Sequence, residues 1–222
     1  MVRQETKRGG VGLRVGLDDG QDLSKHRDKL LLKILVRETE PLACHVAWPC
    51  KDWGSWSRVN RVKTLETAKR IEEGRTLSRT FLVLFKELWH IQTCKARSCS
   101  GENPETSEAW QELGDLPGAH WKTVCQCMLD LKNPVTGIPW RKATWIVFSQ
   151  ACDPSSLDEG MCDKSHEHEP IEGHVCGVPE SQLAEHYTES LAKSVLDSIP
   201  QLKKRRSRKV QIFLYSRQSS IS

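Results

Sequence analysis

Nine cysteines and eight histidines are spread over the 222 residues, and a few of them stand where they could do chemistry. Pro49-Cys50 closes a short apolar run and is followed by Trp53, Trp56, Ser57 and Arg58. A thiol in such a loop is accessible as a nucleophile, and nearby positive charge favours its thiolate. The same residues also read as an ordinary loop cysteine beside packing tryptophans. Glu102-Asn103-Pro104 follows a segment expected to be a parallel strand, where a carboxylate can bond a base edge or simply belong to a surface turn. Arg141-Lys142 precedes a β-rich run, so its cations can hold a backbone phosphate or sit on a solvated strand edge.

A second chemistry is carried by Cys162, His166 and His168, three borderline-soft ligands within one short loop. Cys127, from a neighbouring hairpin, supplies a fourth donor, giving the two thiolates and two imidazoles of a structural, tetrahedral zinc site. Cys152 and Cys176 can substitute as ligands, and His174 is a weaker one. Compact loops that bury little apolar surface often depend on such a metal. The alternative is a set of solvent-exposed polar residues in an acidic loop.

Around these residues the sequence predicts one α/β core. The apolar fraction of 37% is low and the charged fraction of 28% is slightly high, so burial must be concentrated in a few segments. Alternation over Val11, Leu13, Val15 and Leu17 predicts a strand. An amphipathic helix follows, capped by Asp22 or Ser24, with Leu30, Leu31, Ile34 and Leu35 on its apolar face. Leu42 to Trp48 reads as a buried strand whose carboxyl end carries Pro49-Cys50, the end at which open α/β sheets bind ligands. Thr64 caps a helix to about Glu73 that Gly74 interrupts, and a second helix runs from Leu77 to Trp89. A short helix covers Ser107 to Leu113. Trp121 to Leu131 and Thr144 to Phe148 read as two strands paired across the Asn133-Pro134-Gly137 turn. After a Cys/His-rich loop, Pro179 opens a last helix with Leu183, Tyr187, Leu191, Val195 and Ile199 at intervals of four.

These elements divide the chain into a polar segment at 1–10, an α/β core at 11–149, the Cys/His-rich loop at 150–178, a helix at 179–200 and a basic tail at 201–222. Lys203 to Lys209 holds six positive charges, more than the whole net charge of +4. It reads as a nuclear import signal, a phosphate-contacting arm or a solvated end. An odd cysteine count with no signal peptide points to a reducing, intracellular compartment. No apolar run approaches the roughly 20 residues that span a bilayer, so no membrane partner is expected.

Taken in order, Pro49-Cys50 with Trp53, Glu102-Asn103-Pro104 and Arg141-Lys142-Ala143-Thr144 resemble the motif series of cytosine-5 DNA methyltransferases. The series is closer still to methyltransferase-like domains of mobile-element polyproteins and protist proteins. Those carry segments similar to Gln126-Cys127-Met128, Pro134-Val135-Thr136-Gly137 and Cys162-Asp163-Lys164-Ser165-His166-Glu167-His168. The resemblance covers about residues 12 to 199. It implies a partial Rossmann-like, class I methyltransferase-like sheet with flanking helices and a small Cys/His-rich loop region. It also implies a nucleic-acid partner, with Cys50 attacking the ring carbon beside the methylated one, Glu102 holding the pyrimidine nitrogen edge and Arg141 placing the base or its phosphate. S-adenosylmethionine would be the donor of an active member. Here the chain departs from the pattern, because Gly9-Gly10-Val11-Gly12 is a poor substitute for the donor-binding glycine motif and Lys51-Asp52-Trp53 replaces the usual residues after the cysteine. A noncatalytic, zinc-stabilised nucleic-acid-binding or interaction module is the competing expectation, and a fragment without a stable fold is the third.

Overall fold

The computed structural model describes residues 2–5, 11–16, 20–204 and 210–215. Its centre is a mixed sheet built from β1 (Val2–Glu5), β2 (Val11–Val15), β3 (Ala43–Ala47), β4 (Ser98–Pro104), β5 (Ala119–Cys125) and β6 (Ala143–Ser149). Two short strands, β7 (His174–Val175) and β8 (Val178–Pro179), pair separately, and β9 (Val210–Tyr215) returns to the main sheet. The strand order is β1-β2-β9-β3-β4-β6-β5. Four central strands, β2, β9, β3 and β4, are parallel, whereas β6 runs antiparallel to both β4 and β5. The expected α/β class is therefore what forms.

Helices cover both faces. One face carries α1 (His26–Thr39), α2 (Ser55–Arg61), the long α3 (Leu65–Thr93) and α4 (Ala109–Leu113). Its core joins Val36, Cys44, Val46, Trp48, Phe85, Leu88 and Val147. The opposite face carries a 3₁₀ turn at Pro154–Leu157 and α6 (Glu189–Asp197), which bury Val124, Ile146, Phe148, Leu157, Leu191 and Val195. Because strand side chains alternate between faces, Cys44 and Val46 of β3 enter the first core while His45 between them points at the second.

Several expectations are corrected by packing. In α1 the buried side chains are Leu32 and Val36, while Leu30, Leu31 and Ile34 are exposed. The run Leu-Leu-Leu-Lys-Ile-Leu-Val offers two apolar stripes, and only the one facing the sheet is covered. The N-cap of α1 is Lys25 with no side-chain cap bond; Asp22 instead accepts from Ser24 within the preceding turn. Gly74 does not interrupt α3, which runs unbroken from a Thr64 cap that accepts from Thr67 N at 3.1 Å. The Asp52 carboxylate occupies the space that a Cβ at this position would take. Gly101 of β4 has the same logic, since a Cβ would come within 2.7 Å of Phe85 and Trp48.

The run expected as a strand to Leu131 ends at Cys125 and turns through a 3₁₀ segment, Gln126–Leu129. The single helix expected after Pro179 is two helices, α5 (Glu180–Leu183) and α6, separated where Thr188 caps α6 by accepting from Leu191 N at 3.1 Å. Within the segment read as a basic tail, α7 (Pro200–Lys204) is followed by β9, inserted between β2 and β3. Val-Gln-Ile-Phe-Leu-Tyr is β-branched and aromatic, which favours a strand over a solvated end. Residues 205–209 of the basic run, and 6–10 of the amino-terminal segment, lie outside the described residues.

Candidate functional site

Two places gather reactive side chains. The first is a recess beyond the carboxyl ends of β3 and β4. Their parallel register sets Ala47 beside Glu102, so the chain leaving β3 through Trp48 and Pro49 brings Cys50 to the same end as Glu102. Cys50, Lys51, Glu102, Asn103, Lys142 and Glu185 line the recess. Asn103 is fixed by donating from Nδ2 to Trp48 O at 2.9 Å. Glu102 is buried, and its Oε2 has no hydrogen-bond partner among the described residues.

Burial pushes the Glu102 carboxyl above its ordinary range, with Lys142 and the neighbouring Tyr187 hydroxyl acting in the opposite sense. Burial likewise pushes the Cys50 thiol up to about 11; Lys142 lowers it, while Glu185 and Glu102 raise it further. The site therefore holds a thiol and a carboxyl that both resist ionisation, with Lys142 as the cation favouring the charged form of each. Lys142 itself donates from Nζ to Ala184 O at 2.8 Å.

A buried polar row continues behind Glu102. His45 Nδ1 lies 2.8 Å from Ser100 Oγ and its Nε2 lies 2.9 Å from Tyr187 Oη. Desolvation holds His45 down to about 4, so the ring is neutral and one nitrogen donates while the other accepts. Tyr187 thus joins the α5–α6 break to the sheet at the point where Glu102 leaves it.

Of the three residues expected to act together, Cys50 and Glu102 meet and Arg141 does not join them. Arg141 is exposed, and its charge is felt at His168 instead. Adjacent residues on an extended chain point to opposite sides, so Lys142 enters the recess and Arg141 cannot. Glu185, Tyr187 and His45 were not singled out in the sequence. The break that brings Glu185 and Tyr187 in was signalled only by Thr188-Glu189, a helix-start pair hidden inside the four-residue periodicity. The tryptophans after Cys50 divide: Trp53 is buried under the Arg75 guanidinium of α3, 4.8 Å from its ring centroid, while Trp56 is exposed.

The second place is the Cys/His cluster. Cys127 comes from the 3₁₀ segment after β5, and Cys162, His166 and His168 come from the loop; their ligand atoms all lie within 4.8 Å of one another. Cys162 Sγ is 3.9 Å from His166 Nε2 and 3.5 Å from His168 Nε2. A zinc tetrahedron with ordinary bond lengths has ligand-to-ligand edges of roughly 3.3–3.8 Å, so these separations need little adjustment. Burial and the adjoining Cys162 thiol both push Cys127 up, to about 12. This group can hold a metal ion. Cys152, Cys176 and His174 are not part of it: Cys152 packs into the second core near Ser149, and the other two are exposed.

No family model, no curated protein and no solved structure matches the chain. No helix among the described residues is long and apolar enough to cross a membrane.

Proposed function

We propose that the chain is a zinc-stabilised, methyltransferase-like α/β domain whose recess faces nucleic acid, with Cys50 and Glu102 directed at a pyrimidine base. One observation carries this reading: Cys50 and Glu102, far apart in sequence, converge at the carboxyl ends of adjacent parallel strands, where open α/β sheets bind ligands. The sheet supports a Rossmann-like descent, with parallel central strands and helices on both faces, and departs from it in the inserted β9 and the antiparallel β6. A Glu102 carboxyl that resists ionisation suits donation of a hydrogen bond to a ring nitrogen. In this reading Lys142 takes the role the resemblance implied for Arg141.

S-adenosylmethionine does not fit the recess in its present geometry. The recess encloses about 40 Å³, room for a few water molecules, against ~300 Å³ for the smallest ordinary ligand pockets. The proposal therefore stops at recognition and includes no methyl-transfer step. Zinc is the metal the cluster suits, through its two thiolates and two imidazoles; bound there, it supplies structural cross-linking.

The test is binding of a cytosine-containing single-stranded oligonucleotide, followed by fluorescence anisotropy, to zinc-loaded wild type, Cys50→Ala and Glu102→Ala. Loss of one buried hydrogen bond to the base corresponds to roughly tenfold weaker binding for Glu102→Ala. Equal affinity of all three proteins, or no affinity at all, sinks the reading. Saturable binding of S-adenosylmethionine in a calorimeter would return the chain to the enzymes.

A further inference from the structure

We propose that the metal at the Cys/His cluster controls access to Cys50, by clamping the segment that roofs the recess. The inference rests on the zinc reading above and names a regulation of the same recess. The roof is the α5–α6 break, residues 184–188. It supplies Glu185 to the recess wall, the Ala184 carbonyl to Lys142 Nζ at 2.8 Å, and the Tyr187 hydroxyl beside Glu102. In the present geometry Cys50 is only partly exposed and the space beside it, about 40 Å³, admits water but no base, so a base-sized ligand entering the recess must displace this roof.

What holds the roof is partly polar and leads back to the cluster. The roof has two apolar anchors: Ala184 and Leu183 pack with Leu131, Trp140 and Ile171, and Tyr187 packs against the second core and edge-on to His45. Glu180, at the start of α5, is buried and accepts from Asn133 Nδ2 at 3.4 Å and from Glu172 N at 3.2 Å. Glu169, next to the ligand His168, donates from its backbone to Pro139 O at 3.0 Å and accepts from Thr136 Oγ1 at 2.6 Å. The Asn133–Pro139 turn is thus gripped once from the cluster side, by Glu169, and once from the roof side, by Glu180. The head of β6 repeats the connection, since Arg141 lies toward His168 while its neighbour Lys142 reaches the recess and the roof. A short break between helices that is held by a few side chains opens at lower free energy than the sheet beneath it, and the cluster adds a cross-link to the polar contacts that keep it closed.

The experiment compares the full chain loaded with zinc and stripped by a chelator. Metal content is measured first, and each sample is then treated with a small maleimide and the label on every cysteine read by peptide mass spectrometry. Exposed Cys94 reports that the reagent works, and Cys44 and Cys99, fully buried in the first core, report global unfolding. Removing zinc is expected to raise labelling of Cys50 on the order of tenfold while Cys44 and Cys99 stay unlabelled. Equal labelling of Cys50 in both states overturns the proposal, and so does release of all three thiols together, which would make the metal a requirement of the whole fold. Glu180→Ala cuts the grip on the roof without touching a ligand; it is expected to keep its zinc and to label Cys50 severalfold faster, and an unchanged rate counts against the clamp. A chain that takes up no zinc overturns the zinc reading together with this one, whereas zinc uptake without any effect at Cys50 overturns this one alone.

Discussion

Cys50 and Cys162 are held in opposite ways. Cys50 follows a strand with all five residues buried, and its partner Glu102 sits in the next strand, locked by parallel pairing and by α3 packed across both. Cys162 lies in a stretch with almost no apolar contacts of its own, and the residues that meet it are two histidines a few positions away and one thiol from a turn. The floor of the recess is a product of the sheet and exists as long as the sheet does. The cluster has to be completed by something that binds its four donors. A site built by long-range packing can be specified by residues scattered through the chain, while a site built in a loop needs its donors close together and a ligand to hold them.

The comparison is sharpest under a mutation that removes the scaffold. Phe85 is fully buried in α3 and stacks near Trp48 and Trp89, with ring centroids 5.2 and 5.8 Å away. Phe85→Ala is expected to cost about 3–5 kcal/mol of stability, since it leaves a large cavity beneath β4. Denaturant unfolding of the zinc-loaded protein measures it. A loss under 1 kcal/mol would mean that α3 is not what fixes Glu102.

Cys162→Ser makes the complementary cut. Zinc affinity is expected to fall on the order of 100-fold or more, given that even residues behind the ligands commonly cost 10–100-fold. Proteolysis should then concentrate between 150 and 178, while amide exchange of β4 and β6 stays slow. If the strands lose protection as well, the two regions are one cooperative unit and the contrast between them fails.

That contrast also explains what the sequence disclosed. Most of the cluster is legible because its spacing is local: Cys162, His166 and His168 fall within one loop, with Cys127 offered by the adjoining hairpin. Cys50 and Glu102 were legible through motif order and through the strand ends that carry them. Lys142 was half legible, since the basic pair was noticed but which member turns inward depends on where β6 begins. Glu185 and Tyr187 were not, because a clean four-residue periodicity conceals a break that only tertiary packing and the Thr188 cap produce. Gly74 misled for a related reason: its low helix propensity was visible, but the Asp52 side chain that fills its place was not.

The smallest effect concerns the charge in the recess. Glu102 has a folded pKa raised above the ordinary 4.5, chiefly by burial, and Oε2 has no partner among the described residues. The groups facing it are Cys50, Lys142, Glu185 and Tyr187, of which Lys142 and Tyr187 oppose the rise. Because the folded state holds this proton more tightly than the unfolded one, its contribution to stability is complete below the unfolded value and is lost as pH rises through the folded value. Glu102→Gln keeps the shape and removes the charge. Its stability should match that of the wild type under acid conditions and exceed it by on the order of 1 kcal/mol well above neutrality, the cost of ionising a buried carboxyl whose folded value is raised. Thermal melts of both proteins across pH read this directly: a difference that is independent of pH would mean that folding does not shift Glu102, and a wild type that gains on the variant as pH rises through the ordinary carboxylate range would mean that Glu102 is ionised in the folded protein, with Lys142 as its counter-ion. In that case the recess would be held by an ion pair, and its electrostatics would resemble the cation-dependent cluster it is contrasted with.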